Sequence, residues 1–119
     1  MSIKTIFEGK NKEELVKFAD AKGCELASID LSVSQVRNVL DAIQAMKQFD
    51  PGELQLLRPK LAYAAGKLPR IRPFRDVLDE AIGYVKSDDD FKLFRSLVEA
   101  LVAYHALYES ERRAERRGR

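Results

Sequence analysis

Six basic side chains stand between residues 54 and 75 of this chain, and no acidic side chain lies among them. They are Arg58, Lys60, Lys67, Arg70, Arg72 and Arg75. Because the whole chain carries a formal charge of only +2, the remaining residues together carry −4. A positive field concentrated on one part of an otherwise acidic molecule attracts a polyanion to that part. The segment therefore indicates phosphate binding.

The spacing of residues in this segment favours a helix with two different faces. Lys60 and Lys67 are seven residues apart, which on an ideal helix returns to nearly the same side. Leu54, Leu57 and Leu61 point to another side. Such a helix would pack through its leucines and offer two ammonium groups to a ligand.

Tyr63 extends this predicted binding face. It lies about 60° from Lys60 around an ideal helix, close enough to stack on a base or ribose, although packing within the protein would explain it equally well. Arg70 and Arg72 continue the positive charge along the connector that follows. A solvated charged face is the alternative, but six cations without a counter-charge favour nucleic-acid binding.

Other residue types that could do chemistry form no recognisable catalytic or metal site. His105 is the single histidine and has no identifiable Ser or Cys nucleophile beside it, so a packing or hydrogen-bonding role is expected. Cys24 is the single cysteine and cannot form an internal disulfide. Asp88–Asp90 could attract a divalent cation, but aspartates directly before a helix are explained by capping. We therefore expect no enzyme activity, no metal and no cofactor.

Apolar residues repeat with helical spacing along almost the whole chain. This pattern predicts an all-α fold, a compact bundle of about five helices. The sequence also carries ordinary start signals for such helices, namely side chains that cap the first turn and prolines suited to it. The predicted helices begin near Asn11, Ser32, Asp50, Pro73 and Ser87.

Breaks between the helices are predicted from glycine, proline and apolar spacing. Gly23 is expected to end the first helix and Cys24–Leu31 to form a loop. The second helix should end near Phe49, and Pro59 should kink or restart the third. A weak strand over Ile3–Phe7 is the one predicted departure from helix.

The length of 119 residues suits one domain, and we take 1–119 as a single helical domain with a basic tail over 112–119. The composition of the tail also allows disorder, whereas in a continued helix its arginines would form two basic ridges. No apolar run approaches the roughly 20 residues that span a bilayer, and the N-terminus lacks the apolar region of a signal peptide. We expect a cytoplasmic protein without membrane contact.

Three features of the sequence together resemble one protein family. Lys60–Lys67 reads Lys-Leu-Ala-Tyr-Ala-Ala-Gly-Lys, and Ser34–Arg37 reads Ser-Gln-Val-Arg before a predicted long helix. The third feature is the apolar pattern of the last helix over Phe91–Phe94 and Leu97–His105. In this order they resemble the small helical subunit of type III-A CRISPR-Cas (Csm) interference complexes.

The resemblance implies a non-catalytic subunit of an antiviral ribonucleoprotein. Small subunits of this family stack as neighbouring copies beside the backbone and large Csm subunits, and line the groove that holds crRNA and target RNA. Contacts there should go to the RNA backbone, because a guide-programmed complex must accept any target sequence. The resemblance points to Lys60, Lys67 and Arg37, and local charge and stacking supply the others. The predicted RNA-binding residues are Arg37, Arg58, Lys60, Tyr63, Lys67, Arg70 and Arg72.

Two other classes of protein fit the same residues. The first is the small subunit of type III-B complexes, which is also an α-helical protein of an RNA groove. With this identity most of the interpretation would stay the same, but the partner subunits would differ. A homodimeric helical interaction module would need no nucleic acid. In that module Phe91, Phe94 and Leu101 could form the seam between two copies. The sequence leaves both alternatives open.

Overall fold

The structure, a computed structural model, describes residues 2–118, which fold into six α-helices without a β-strand. The predicted all-α bundle is confirmed, with one helix more than the five expected. Within the described residues, no helix is both long and apolar enough to cross a membrane. The helices are α1 (Ile3–Gly9), α2 (Lys12–Ser28), α3 (Val33–Gln44), α4 (Pro51–Lys67), α5 (Arg72–Ile82) and α6 (Asp88–Arg117).

The additional helix is α1, which replaces the strand predicted over Ile3–Phe7. Ile3, Ile6 and Phe7 are buried, and their spacing is that of one helix face. Ser2 caps the helix by accepting a hydrogen bond from the backbone N–H of Thr5. The β-branched side chains of this segment suit a strand, but the apolar spacing and the cap decide for a helix.

Helix α2 passes through Gly23 and continues to Ser28, so the predicted stop at Gly23 and the loop over Cys24–Leu31 are wrong. Gly23 is buried because α2 lies directly against α6 at this point. The turn comes later, at Asp30, whose φ of 60° lies in the left-handed region. The glycine therefore serves a close helix contact and does not act as a helix terminator.

The predicted starts of α3 and α4 are confirmed in atomic detail. Ser32 and Gln35 form a reciprocal capping box at the start of α3. Asp50 accepts hydrogen bonds from the N–H groups of Gly52 and Glu53, and Pro51 occupies the first turn of α4. The end of α3 was predicted too late, because the helix stops at Gln44. Helix α4 runs through Pro59 to Lys67 without restarting.

A single apolar core joins all six helices, with α6 at its centre. Helix α6 packs against α2, α3 and α5, while α4 packs mainly against α5. Phe91, Phe94 and Leu101 are buried in this core within one copy of the chain. The seam that we assigned to them in a homodimer is therefore wrong, because side chains that already pack inside one copy cannot pack against a second.

His105 lies at the centre of this packing, with its ring fully buried, as expected for a structural histidine. Its Nε2 donates a hydrogen bond of 2.7 Å to the carbonyl of Leu31, at the turn before α3. Nδ1 is buried without a hydrogen-bond partner among the described residues. Burial lowers the pKa of His105, although the bond to Leu31 and the nearby carboxylate of Glu109 favour the charged ring.

Protonation of His105 should therefore destabilise the fold in acid. Since its pKa is lower in the folded chain than the ordinary value of 6.5, the unfolded chain takes up the proton first as the pH falls. The stability that the neutral His105 ring contributes is complete above about pH 6.5, and it is lost as the pH falls towards the pKa of the folded chain. Urea unfolding at pH 7.5 and 5.0 should show that the free energy of unfolding falls less between these pH values for His105→Gln than for the wild type. Equal losses would contradict this assignment.

Candidate nucleic-acid interface

Helix α4 places Lys60 and Lys67 on one side of the molecule. Leu54, Leu57 and Leu61 are buried against the core, which fixes the rotation of the helix about its axis. Both lysines are exposed on the side predicted from their spacing, about 10 Å apart along the axis by helix rise. Among the described residues, neither forms an ion pair with an acidic side chain. Two ammonium groups are thus available to an anionic ligand.

These lysines stand at an apolar groove between α3 and α4, a feature that the sequence analysis missed. The groove has a volume of about 340 Å³ and contains no acidic side chain. We call it the α3–α4 groove. Its lining residues are Gln35, Asn38, Val39, Ala42, Leu57, Lys60, Leu61, Ala64, Lys67, Leu68 and Ile71. Helical spacing on α3 could have suggested an exposed polar and apolar edge, but only the packing shows that α4 lies opposite.

An exposed stripe runs along α4 beside the groove. Leu56, Lys60, Tyr63 and Lys67 follow each other at intervals of three and four residues, so they share one side of the helix. The side chains of Leu56 and Tyr63 are 55% and 66% exposed, although both carry large apolar surfaces. The Nζ of Lys67 lies 4.9 Å from the centre of the Tyr63 ring. This stripe combines charge with an aromatic face, the pair of features used in binding single-stranded nucleic acid.

Arg70 and Arg72 follow directly after α4. A 3₁₀ turn at Pro69–Ile71 carries Arg70, and Arg72 is the first residue of α5. Both are exposed, and neither forms an ion pair with another described residue. They lie outside the α3–α4 groove and can extend the positive surface beyond its end.

Arg58, in contrast, points away from this face. It lies about 160° from Lys60 around α4 and bridges to α5, where its Nε is 3.3 Å from the Asp79 carboxylate. Its Nη2 also donates a hydrogen bond to the backbone carbonyl of Asp79. Arg75 is similarly paired with Asp76. Two of the six cations of the basic segment therefore have partners inside the protein, and Arg58 holds α4 against α5.

Arg37 is also separated from the lysines. It is exposed on α3 but does not line the α3–α4 groove. On an ideal helix it lies about 160° from Gln35, which does line it. A ligand in the groove would therefore need to pass around α3 to reach Arg37. The structure brings Lys60 and Lys67 together and leaves Arg37 and Arg58 elsewhere.

The basic tail is helical as far as Arg117, and its last residue, Arg119, lies outside the described residues. Three of its arginines, Arg112, Arg113 and Arg116, form ion pairs within the chain. Arg112 and Arg116 pair with Asp30 at the α2–α3 turn, and they also lie within 4 Å of the buried Glu109. Arg112 donates a further hydrogen bond to the carbonyl of Ala27. These contacts attach α6 to the turn that leads into α3.

We expect Arg112→Ala to lower the free energy of unfolding by about 1–2 kcal/mol, because it leaves the Ala27 carbonyl and Asp30 without this donor. Arg117→Ala is the matched control, since Arg117 is exposed on the same helix. It should change stability by less than about 0.5 kcal/mol. Urea unfolding checks both. Equal stability of the two variants, with RNA affinity lost in Arg112→Ala, would instead place the tail at the RNA.

The other side chains that could do chemistry either form hydrogen bonds within the protein or are simply exposed. Ser87 caps α6 at Asp90, and the Asp90 carboxylate accepts the backbone N–H of Lys86. The hydrogen bond to Asp20 raises the pKa of Tyr108 to about 12. Cys24 is exposed. Among the described residues, no group of three His, Cys, Asp or Glu side chains could hold a metal ion.

These features define a class: a small all-α protein that presents an apolar groove with two lysines at its margin. A family model described as Csm2 Type III-A matches residues 9–111. The chain belongs to this family and is a small subunit of the type III-A Csm complex. Comparisons with curated proteins and with solved structures gave no match.

Proposed function

We propose that this subunit binds the backbone of crRNA and target RNA through α4, without regard to sequence and without catalysing a reaction. Lys60 and Lys67 carry this proposal, because they share one face of α4 with no acidic side chain beside them. Lysine ammonium groups contact phosphate, which is the same at every nucleotide. Arg70 and Arg72 extend the contact past the end of α4. The guide strand supplies the sequence specificity.

The proposed partners follow from membership of the Csm complex. The subunit would lie beside the backbone and large subunits and next to further copies of itself in the cytoplasm, and would hold RNA while other subunits perform the chemistry. The first helical turns at Glu13 and at Asp88–Asp89 are exposed and acidic, and could meet basic surfaces of these neighbours, although Glu13 and Asp89 also form exposed ion pairs with Lys17 and Lys10. Affinity shared along several copies would exceed that of one copy.

The experiment is a salt titration with three RNAs of equal length and unrelated sequence. Affinities should agree among the three RNAs, and log affinity should fall linearly with log salt, by about 0.7 per phosphate contact for a single strand. Binding that depends on sequence, or that does not depend on salt, would contradict backbone recognition. Binding of none of the RNAs at low salt would favour a protein-interaction module.

A further inference from the structure

We propose that the α3–α4 groove receives an unstacked nucleobase of the bound RNA. This inference rests on the proposed RNA-binding function and adds a second kind of contact at the same site. The groove volume of about 340 Å³ lies in the range of small-ligand sites, roughly 300–1,000 Å³. Its two sides come from different helices, so that a flat ligand can enter between them.

The walls of the groove suit the faces of a base. Val39 and Ala42 line it from α3, and Leu61 and Ala64 line it from α4. Ala42 is exposed and Ala64 is half-buried, so apolar surface at this place faces solvent in the free chain. An unstacked base would cover that surface and would itself leave water, as bases do between apolar side chains.

The charges at the groove identify the occupant as a nucleotide. Lys60 and Lys67 line the groove from α4, and no carboxylate lines it. The occupant should therefore join an apolar, flat body to an adjacent negative group, as a base is joined to its phosphate. An acidic peptide would also meet the lysines, but the exposed ring of Tyr63 beside them offers a stacking surface for the next base.

The polar groups of the groove are compatible with any base. Asn38 lines the groove, is exposed and makes no side-chain hydrogen bond with a described residue. Its amide offers both donors and an acceptor, so it can turn to meet the edge of either a purine or a pyrimidine. The side-chain oxygen Oε1 of Gln35, in contrast, already accepts a hydrogen bond from the backbone N–H of Ser32. The site can thus hold a base without selecting one sequence.

The test compares an ordinary RNA with an abasic RNA of equal length, which has the same phosphates but lacks bases. We expect the wild type to bind the ordinary RNA at least about tenfold more tightly, because the groove and the Tyr63 ring each offer a contact to a base. Ala64→Phe fills the groove and should reduce this preference, while leaving the salt slope unchanged. Ala62→Phe is the matched control, because Ala62 is exposed on α4 outside the groove, and should keep the preference. Ala42→Phe fills the same space from α3 and should act like Ala64→Phe.

The outcomes separate this inference from the proposed function. Equal, salt-dependent binding of both RNAs by the wild type would overturn the base site and leave backbone binding intact. No binding of either RNA at low salt would overturn both. A base preference that is undiminished in Ala64→Phe and Ala42→Phe would also overturn the site and assign the whole preference to Tyr63. If these variants bind RNA normally but fail to enter a reconstituted Csm complex, the groove belongs to a protein partner and the inference is wrong. Thermal melting by circular dichroism checks that each variant is folded.

Discussion

Reversing the charge at Lys60 and Lys67 together, in Lys60→Glu/Lys67→Glu, should reduce RNA affinity by on the order of 100-fold at low salt. Both side chains are exposed and lack ion-pair partners among the described residues, so their removal leaves no buried group uncompensated. Two lost phosphate contacts should also lower the salt slope by about 1.4 for a single strand. The fold should remain intact, since the variant loses only the contact of Lys67 with the Tyr63 ring.

The matched control for this variant is Lys4→Glu/Lys17→Glu. It makes the same change in net charge, but on α1 and α2, where the two lysines form exposed ion pairs with Glu8 and Glu13. Exposed pairs of this kind contribute only about 0.3–0.5 kcal/mol each. The control should retain most of the affinity and the full salt slope. A folded Lys60→Glu/Lys67→Glu protein with the wild-type slope would show that α4 is not the RNA-binding face.

Replacing Gly23 with alanine should destabilise the fold by about 1–3 kcal/mol, and valine by more. A Cβ atom at this position would lie 2.7 Å from the Cβ of Tyr104 and 2.9 Å from the backbone nitrogen of His105. Neither atom can rotate away, so α2 and α6 would have to separate. The energy needed to separate the two helices outweighs the gain of about 1 kcal/mol that alanine has over glycine inside a helix, so the net effect is destabilising.

The same substitution at Gly66 should have the opposite effect. A Cβ atom added there would meet no atom within 4 Å apart from the neighbouring backbone of its own helix, and Gly66 lies in the last turn of α4. Gly66→Ala should therefore raise the free energy of unfolding by about 0.5–1 kcal/mol. Urea unfolding of the two variants gives the comparison. Equal effects of the two alanines would contradict the close α2–α6 contact.

Local signals in the sequence predicted the features of the fold that depend on neighbouring residues. The caps at Asn11, Ser32 and Asp50 each need only a side chain and an N–H group two or three residues later. The role of Gly23 depends instead on Tyr104 and His105, about 80 residues further along the chain. A glycine that terminates a helix and one that admits another helix look alike in the sequence.

In the candidate site too, features that depend on nearby residues could be predicted, whereas features that depend on distant residues could not. The spacing of Lys60 and Lys67 within one helix was enough to predict their common face. Arg58 pairs with Asp79, which lies on another helix, and spacing along the sequence cannot reveal such a partner. The groove itself depends on the tertiary fold, which places α3 and α4 opposite each other. Charge counted along the sequence therefore overstates the positive surface that is available to RNA.

The most direct test of RNA binding by α4 is photo-cross-linking of RNA containing 4-thiouridine within the assembled Csm complex, mapped by mass spectrometry. Cross-links in this subunit should lie on α4 and at the groove, above all at Tyr63, whose ring is exposed beside Lys67. Cross-links confined to α2 and α6 would contradict the binding face that we propose. So would their absence from this subunit in a complex whose other subunits do cross-link.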